Sequence, residues 1–248
     1  MPGLSMPSPT QQPLAPIGHV GLMIDTYIAN TNLEDLRAVV RALLVTGPPN
    51  TTTAFQKVVK QRLRRQRMND LSSLPPPGTL FTPYANGPYS SSSSASSSAS
   101  LPSASSSPEP PHFTPVVADL LSRARALFGA GLGLQSLPIL TLLIHGTHNL
   151  RWSEDGQFVD TLAIVDSDIS QAIQSSLEEV TTSNFDNLVG GIEEGIAAVM
   201  ELQKALKDCE TEVESWGGEF PFQRGLANVE SFVENEVWLK ATEAVLGH

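Results

Sequence analysis

Apolar residues recur at three- and four-residue intervals through most of this chain, a spacing that predicts helices. The first run, "HVGLMIDTYIAN" at 19–30, is followed by "LEDLRAVVRALLVTG", where Leu33, Leu36, Val39, Val40 and Leu43 share one face. Asn32 with Asp35 reads as an N-terminal cap, and Gly47-Pro48-Pro49 as a stop, because proline cannot continue a helix. A third helix is expected from Thr52 or Thr53. On it Phe55, Val58, Val59 and Leu63 form an apolar face, while Lys57, Lys60, Arg64 and Arg67 fall within about 80° on the other side.

The helical pattern resumes in "TPVVADLLSRARALFGAG", "LQSLPILTLLIHG" and "SEDGQFVDTLAIVDSDISQAIQSSLEEV", and then in two long amphipathic segments, 188–216 and 224–246. In the first of these, Ile192, Ile196 and Val199 continue into Leu202, Leu206, Cys209, Val213 and Trp216, a stripe with a small phase slip. The second, with Phe232, Val233, Val237 and Ala241, offers it an antiparallel neighbour across "GGEFPF". Residues 126–144 carry no charge and are long enough to span a bilayer. Their three glycines, Pro138 and the polar pair Gln135-Ser136 predict instead two buried helices around a glycine turn, with Ser136 as cap and Pro138 near the start of the second. The whole pattern predicts an all-α protein, either a multi-helix bundle or a short irregular helical-repeat array. The repeat option rests on Leu33, Leu36, Val39 and Leu43, which can be laid over Leu134, Leu137, Leu140 and Ile144, an arrangement similar to armadillo and HEAT repeats.

Composition divides the chain. Residues 72–112 are rich in Ser, Pro and Ala, and ordering them costs about 1–2 kcal/mol each with little apolar surface to bury. They are expected to be a disordered linker. Residues 1–18, "MPGLSMPSPTQQPLAPIG", are similarly rich in Pro and are expected to be a disordered tail; they lack the basic start and long apolar run of a secretory signal. This leaves an amino-terminal helical segment, 19–71, and a main helical domain, 113–248. A segment of roughly 50 residues buries too little surface to be comfortable alone, so it is expected to dock on the main domain. Charge favours this arrangement: the net charge is +4 through residue 75, -1 from there through 112 and -14 beyond, for a total of -11. The single cysteine, Cys209, allows no internal disulfide, and with no secretory signal the expected compartment is intracellular, cytoplasmic or nuclear. Its place on the apolar stripe makes Cys209 a core residue.

Four stretches bear on chemistry. "VTGPPNTTTAF" lacks the glycine and lysine of a phosphate-binding loop, and "GAGLGLQS" lacks the third glycine and the preceding strand of a dinucleotide fingerprint. His145 and His148 have a zinc-compatible spacing but no cysteine nearby. "LAIVDSDIS", 162–170, resembles the first motif of haloacid-dehalogenase-type phosphatases, an apolar strand ending in D-x-D-x-[ST]. The resemblance implies that Asp166 attacks phosphorus and Asp168 shuttles the proton, with magnesium neutralising the phosphate. The 78 residues that follow show helical periodicity rather than that family's sheet, and the same aspartates can mark a helix boundary with Asp168 as cap.

The run "KVVKQRLRRQR", 57–67, holds six of the chain's 15 basic residues. Lys57, Lys60, Arg64 and Arg67 could form a solvated surface that pairs with the chain's own acidic helices, a nuclear-import signal or a phosphate-binding face. The run has no aromatic residue for base stacking, and the acidic main domain opposes nucleic-acid binding. The resulting expectation is a non-enzymatic helical scaffold or adaptor that binds another protein, with no cofactor, no metal, no nucleic acid and no membrane association. The alternative is a magnesium-dependent phosphohydrolase using Asp166 and Asp168. The conformation of residues 162–165 separates the two.

Overall fold

The computed structural model describes residues 19–70, 74–82, 112–152, 156–182, 191–236 and 238–240, with backbone alone at 19–23, 67–70, 82, 112 and 191–192. The fold is all-α. The chain divides into two compact units, Met1–Gln56 and Lys57–His248.

The first unit contains α1 (His19–Asn30), α2 (Leu33–Thr46) and the start of α3 (Asn50–Asp70). Asn32 caps α2 as its sequence predicts. Its Oδ1 accepts the Asp35 N–H at 2.8 Å, and its Nδ2 donates to Asp35 Oδ2 at 2.6 Å. The α2 helix closes where Gly47 donates its N–H to the Leu43 carbonyl at 2.8 Å. Then α3 begins at Asn50, two or three residues earlier than expected. No residue of α2 is buried.

The second unit holds the rest of α3, a 3₁₀ turn (Pro77–Thr79), the two-residue strands β1 (Phe81–Thr82) and β2 (His112–Phe113), and the helices α4 (Pro115–Gly129), α5 (Gly133–Gly146), α6 (Gln157–Thr182), α7 (Gly191–Trp216) and α8 (Gln223–Val233). The centre of the bundle is α5, contacted by α4, α6 and α7. Eleven of its 14 residues are buried, which explains a helix that is apolar on every side. The uncharged stretch 126–144 is therefore the end of α4, a turn and α5. Gly131 makes the turn at φ 74°, where its N–H reaches the Phe128 carbonyl at 2.9 Å and the Leu132 N–H reaches Leu127 at 3.0 Å. Among the described residues no helix is long and apolar enough to cross a membrane.

Three local expectations change. Ser136 lies inside α5 and does not cap it; its hydroxyl donates to the Gly133 carbonyl at 2.6 Å, and the free Leu134 N–H is taken at 3.1 Å by Glu179 of α6. Asp168 is likewise not a cap, because α6 runs unbroken through it from Gln157 to Thr182. The helix expected over 224–246 breaks after Val233; helical backbone resumes at 236 and 238–240, where Trp238 is buried with its ring 4.7 Å from that of Phe232. The two overlaid leucine patterns share spacing but not surroundings: α2 is exposed and α5 is the core.

Part of the expected linker, residues 74–82, is ordered. Leu80 and Phe81 are buried, with Phe81 against Gly146 of α5 and in edge contact with Phe113 at 5.2 Å. The β1 and β2 strands pair antiparallel, Phe81 with Phe113 and Thr82 with His112. Apolar burial at these two positions offsets part of the cost of ordering the surrounding Pro and Gly. Residues 83–111 of the linker and the tail 1–18 lie outside the described residues.

Candidate interaction site

The basic run lies on α3, and the structure shows which way it faces. Leu63 packs on the core of the second unit, and Val59 and Lys60 are half-buried, whereas Val58 is 63% exposed. The inward face is therefore rotated from the expected set of Phe55, Val58, Val59 and Leu63 toward Lys60. The Lys60 Nζ stands 3.1 Å from where a Cβ on Gly131 would be, so its stem covers the α4–α5 turn.

That orientation brings Lys60 and Arg64 within electrostatic reach of Glu179. Its carboxyl is buried at the amino end of α5, and burial pushes its pKa up; the Leu134 N–H, Lys60, Arg64 and the Gly133 N–H pull the other way. A buried carboxylate of this kind needs donors and nearby cations, and α3 supplies two of the latter. Lys57 and Arg64 are exposed, and the side chain of Arg67 lies outside the described residues. Of the four residues singled out from sequence, Lys60 and Arg64 lie within electrostatic reach of Glu179. The signal that sequence reasoning missed was Glu179, an acidic residue at a position facing apolar neighbours in "SSLEEV".

Asp166 and Asp168 are both buried in α6, on helix and not at the end of a strand. Residues 162–165 are helical, so the geometry that the phosphatase resemblance requires is absent here. Each carboxylate is engaged elsewhere. Asp166 accepts the Gly225 N–H at 2.6 Å and Arg224 Nε at 3.1 Å, and Asp168 takes Arg125 in a forked pair, Nε at 2.9 Å and Nη2 at 2.7 Å to the same Oδ2. These are inter-helix ties, α6 to α8 and α6 to α4.

His145 and His148 do not converge. His145 Nε2 lies 3.6 Å from Glu201, and His148 Nδ1 lies 2.5 Å from Glu212, both glutamates on α7. Among the described residues no group of three or more His, Cys, Asp and Glu side chains could hold a metal ion. Cys209 is buried beside Thr147, and burial pushes its thiol up to about 11, so it packs rather than reacts.

The apolar faces of α1 and α2 are the other surface of note. Ile24, Tyr27 and Ile28 on α1 and Leu33, Val39 and Leu43 on α2 are all exposed, Leu33 by 60%. Comparison with family models, with curated proteins and with solved structures finds no match to this chain.

Proposed function

We propose that the chain is a non-enzymatic helical scaffold or adaptor that works by binding another protein through α1 and α2. One observation carries this reading: two helices present large apolar side chains to solvent, Ile24, Tyr27 and Ile28 on α1 and Leu33, Val39, Leu43 and Val45 on α2, and α2 buries none of its residues. Helices of 12 and 14 residues are marginal in isolation, so an apolar partner face that covers them would stabilise what propensity alone does not. The partner should itself present an apolar groove or helix face, because the exposed stripe repeats at helical spacing.

Leu33→Asp with Leu43→Asp tests the reading. Both positions are exposed, so the thermal unfolding of the second unit should not change. A protein captured by the wild type, shown to bind the purified chain directly, and lost from the double variant supports the proposal. The same proteins bound with the same affinity by both forms overturn it.

A further inference from the structure

The packing of α3 divides its basic run into two sets. At about 100° per residue, Val59, Lys60 and Leu63 turn toward the rest of the second unit, while Val58, Gln61, Arg62 and Arg65 fall within about 100° of arc on the opposite side. All four are exposed, Val58 by 63%, and with Gln66 they line one hollow on the helix surface. The two arginines are not among the cations that periodicity singled out. They face outward because the inward face of α3 is rotated toward Lys60.

Arg62 and Arg65 stand one turn apart, where two like charges on a helix repel each other. Among the described residues no carboxylate pairs with either, although Arg125 and Arg224 each hold a buried aspartate. Lys60 and Arg64, by contrast, lie within reach of Glu179. The outward face therefore keeps two uncompensated guanidiniums, each with a planar fork that matches a carboxylate. Beside them Val58 offers one apolar contact, and Gln61 and Gln66 offer amides to a peptide backbone. A long nucleic acid fits less well, because the face has no aromatic ring for base stacking and the residues beyond 112 carry a net charge of -14. A lipid surface is disfavoured too, since Val58 is the one apolar side chain on this face that could enter it. A segment of two helical turns escapes the repulsion of the acidic helices, because charges more than about 8 Å apart are largely screened at physiological salt.

We propose that the outward face of α3 binds an acidic peptide segment of a partner protein, with two carboxylates one turn apart meeting Arg62 and Arg65 and a small apolar side chain meeting Val58. Recognition of acidic motifs by paired arginines needs only this fork geometry and an unopposed charge. The contact is sensitive to salt, because all its charges stay at the surface. It goes beyond the α1–α2 reading by adding a second surface, within the second unit, for a partner of defined charge.

The test uses the full chain and a labelled helical peptide in which glutamates repeat every fourth residue among alanines around one central valine, followed by fluorescence anisotropy. The expected result is saturable binding that is lost in about 0.5 M salt and absent for the same peptide with glutamine in place of glutamate. Arg62→Gln and Arg65→Gln should each weaken it about two- to fivefold, the range of an exposed ion pair, and Arg62→Glu with Arg65→Glu should abolish it. Both arginines are exposed, so the unfolding midpoints of these variants should match the wild type. Arg64→Gln, on the flank near Glu179, should weaken binding less than Arg65→Gln does. The neutral pair Leu33→Ser with Leu43→Ser should leave binding unchanged, and loss of binding in that pair would give the peptide to the α1–α2 surface and overturn the assignment. No binding to wild-type protein overturns it as well. So do equal losses in Arg64→Gln and Arg65→Gln, which would mean that net charge acts without this face. Tighter binding of a single-stranded oligouridylate or of phosphatidylserine vesicles would assign the face to nucleic acid or membrane instead. A mass that rises with protein concentration in the absence of peptide, and does not rise in Arg62→Glu with Arg65→Glu, would give it to the acidic helices of a second copy.

Discussion

Asp166 shows how one residue can suggest catalysis in sequence and serve packing in structure. It is buried and satisfies the Gly225 N–H at the start of α8. Asp166→Ala would leave that N–H buried without a partner, so the chain should lose about 1–3 kcal/mol of stability, measured by urea unfolding. Arg224→Gln, at an exposed side chain, should cost no more than about 1 kcal/mol. A phosphate-ester assay gives the complementary expectation: wild type and Asp166→Asn should show the same rate with magnesium, and a magnesium-dependent rate lost in the variant would revive the phosphohydrolase. Glu179 gives a pH prediction. Burial sets its folded pKa above the ordinary 4.5, so the native state holds the proton more tightly than the unfolded chain. The stability this provides is full below about 4.5 and is lost as pH rises through the raised value. Glu179→Gln still accepts the Leu134 N–H and never ionises, so its unfolding midpoint should gain on the wild type as pH increases above 4.5. Parallel curves from pH 4 to 8 would show that the carboxylate is not strained by burial. Sequence alone could not give either role, because the partners of Asp166 and Glu179 lie 59 and 45 residues away.

Single elements were more legible where they signalled locally. The Asn32 cap, the Gly47 stop and the glycine turn before α5 depend on residues within a few positions, and each stands where the spacing predicts. The break expected inside α6 does not occur, because helix propensity penalises Asp166 and Asp168 only until Gly225, Arg224 and Arg125 supply donors from other helices. Close approach of helices gives a sharper test. A Cβ on Gly133 would stand 2.3 Å from the Ser176 backbone nitrogen, so Gly133→Ala must push α5 from α6 and should cost about 1–3 kcal/mol. Gly129, four residues earlier at the end of α4, has nothing within 4 Å, and Gly129→Ala should be neutral or stabilise by up to about 1 kcal/mol. Equal thermal midpoints for the two variants would contradict the packing described. The α3 helix makes a similar contrast between burial and charge. Leu63→Asp should remove amide-exchange protection from residues 57–66, whereas Arg64→Gln, at an exposed side chain, should change it little.

At the scale of the whole molecule, composition and burial disagree about where the connection between the basic helix and the main helices begins, and a protease can decide between them. Composition alone would open the chain to cleavage anywhere in 72–112. Burial removes the first part of that window, since Leu80 is fully buried, Phe81 packs on α5, and the Thr114 N–H and hydroxyl both bond to the Leu80 carbonyl, at 3.1 and 2.9 Å. We therefore expect elastase, which cuts after small residues, to nick the native protein first within 83–111 and to spare 74–82. The consequence reaches beyond the cut site. Leu63, Leu74, Leu80 and Phe81 all pack on the core formed by the helices after residue 114. Each fully buried side chain among them contributes about 1.5–3 kcal/mol, more than the exposed ion pairs that the +4 and -14 charge asymmetry first suggested. The two fragments should accordingly co-elute on gel filtration, stay together in about 1 M salt, which screens surface charge, and part only in denaturant. Separation in salt alone would mean that charge holds the basic segment to the body. Separation without salt would mean that the burial of Leu80 and Phe81 is too weak to hold a nicked chain.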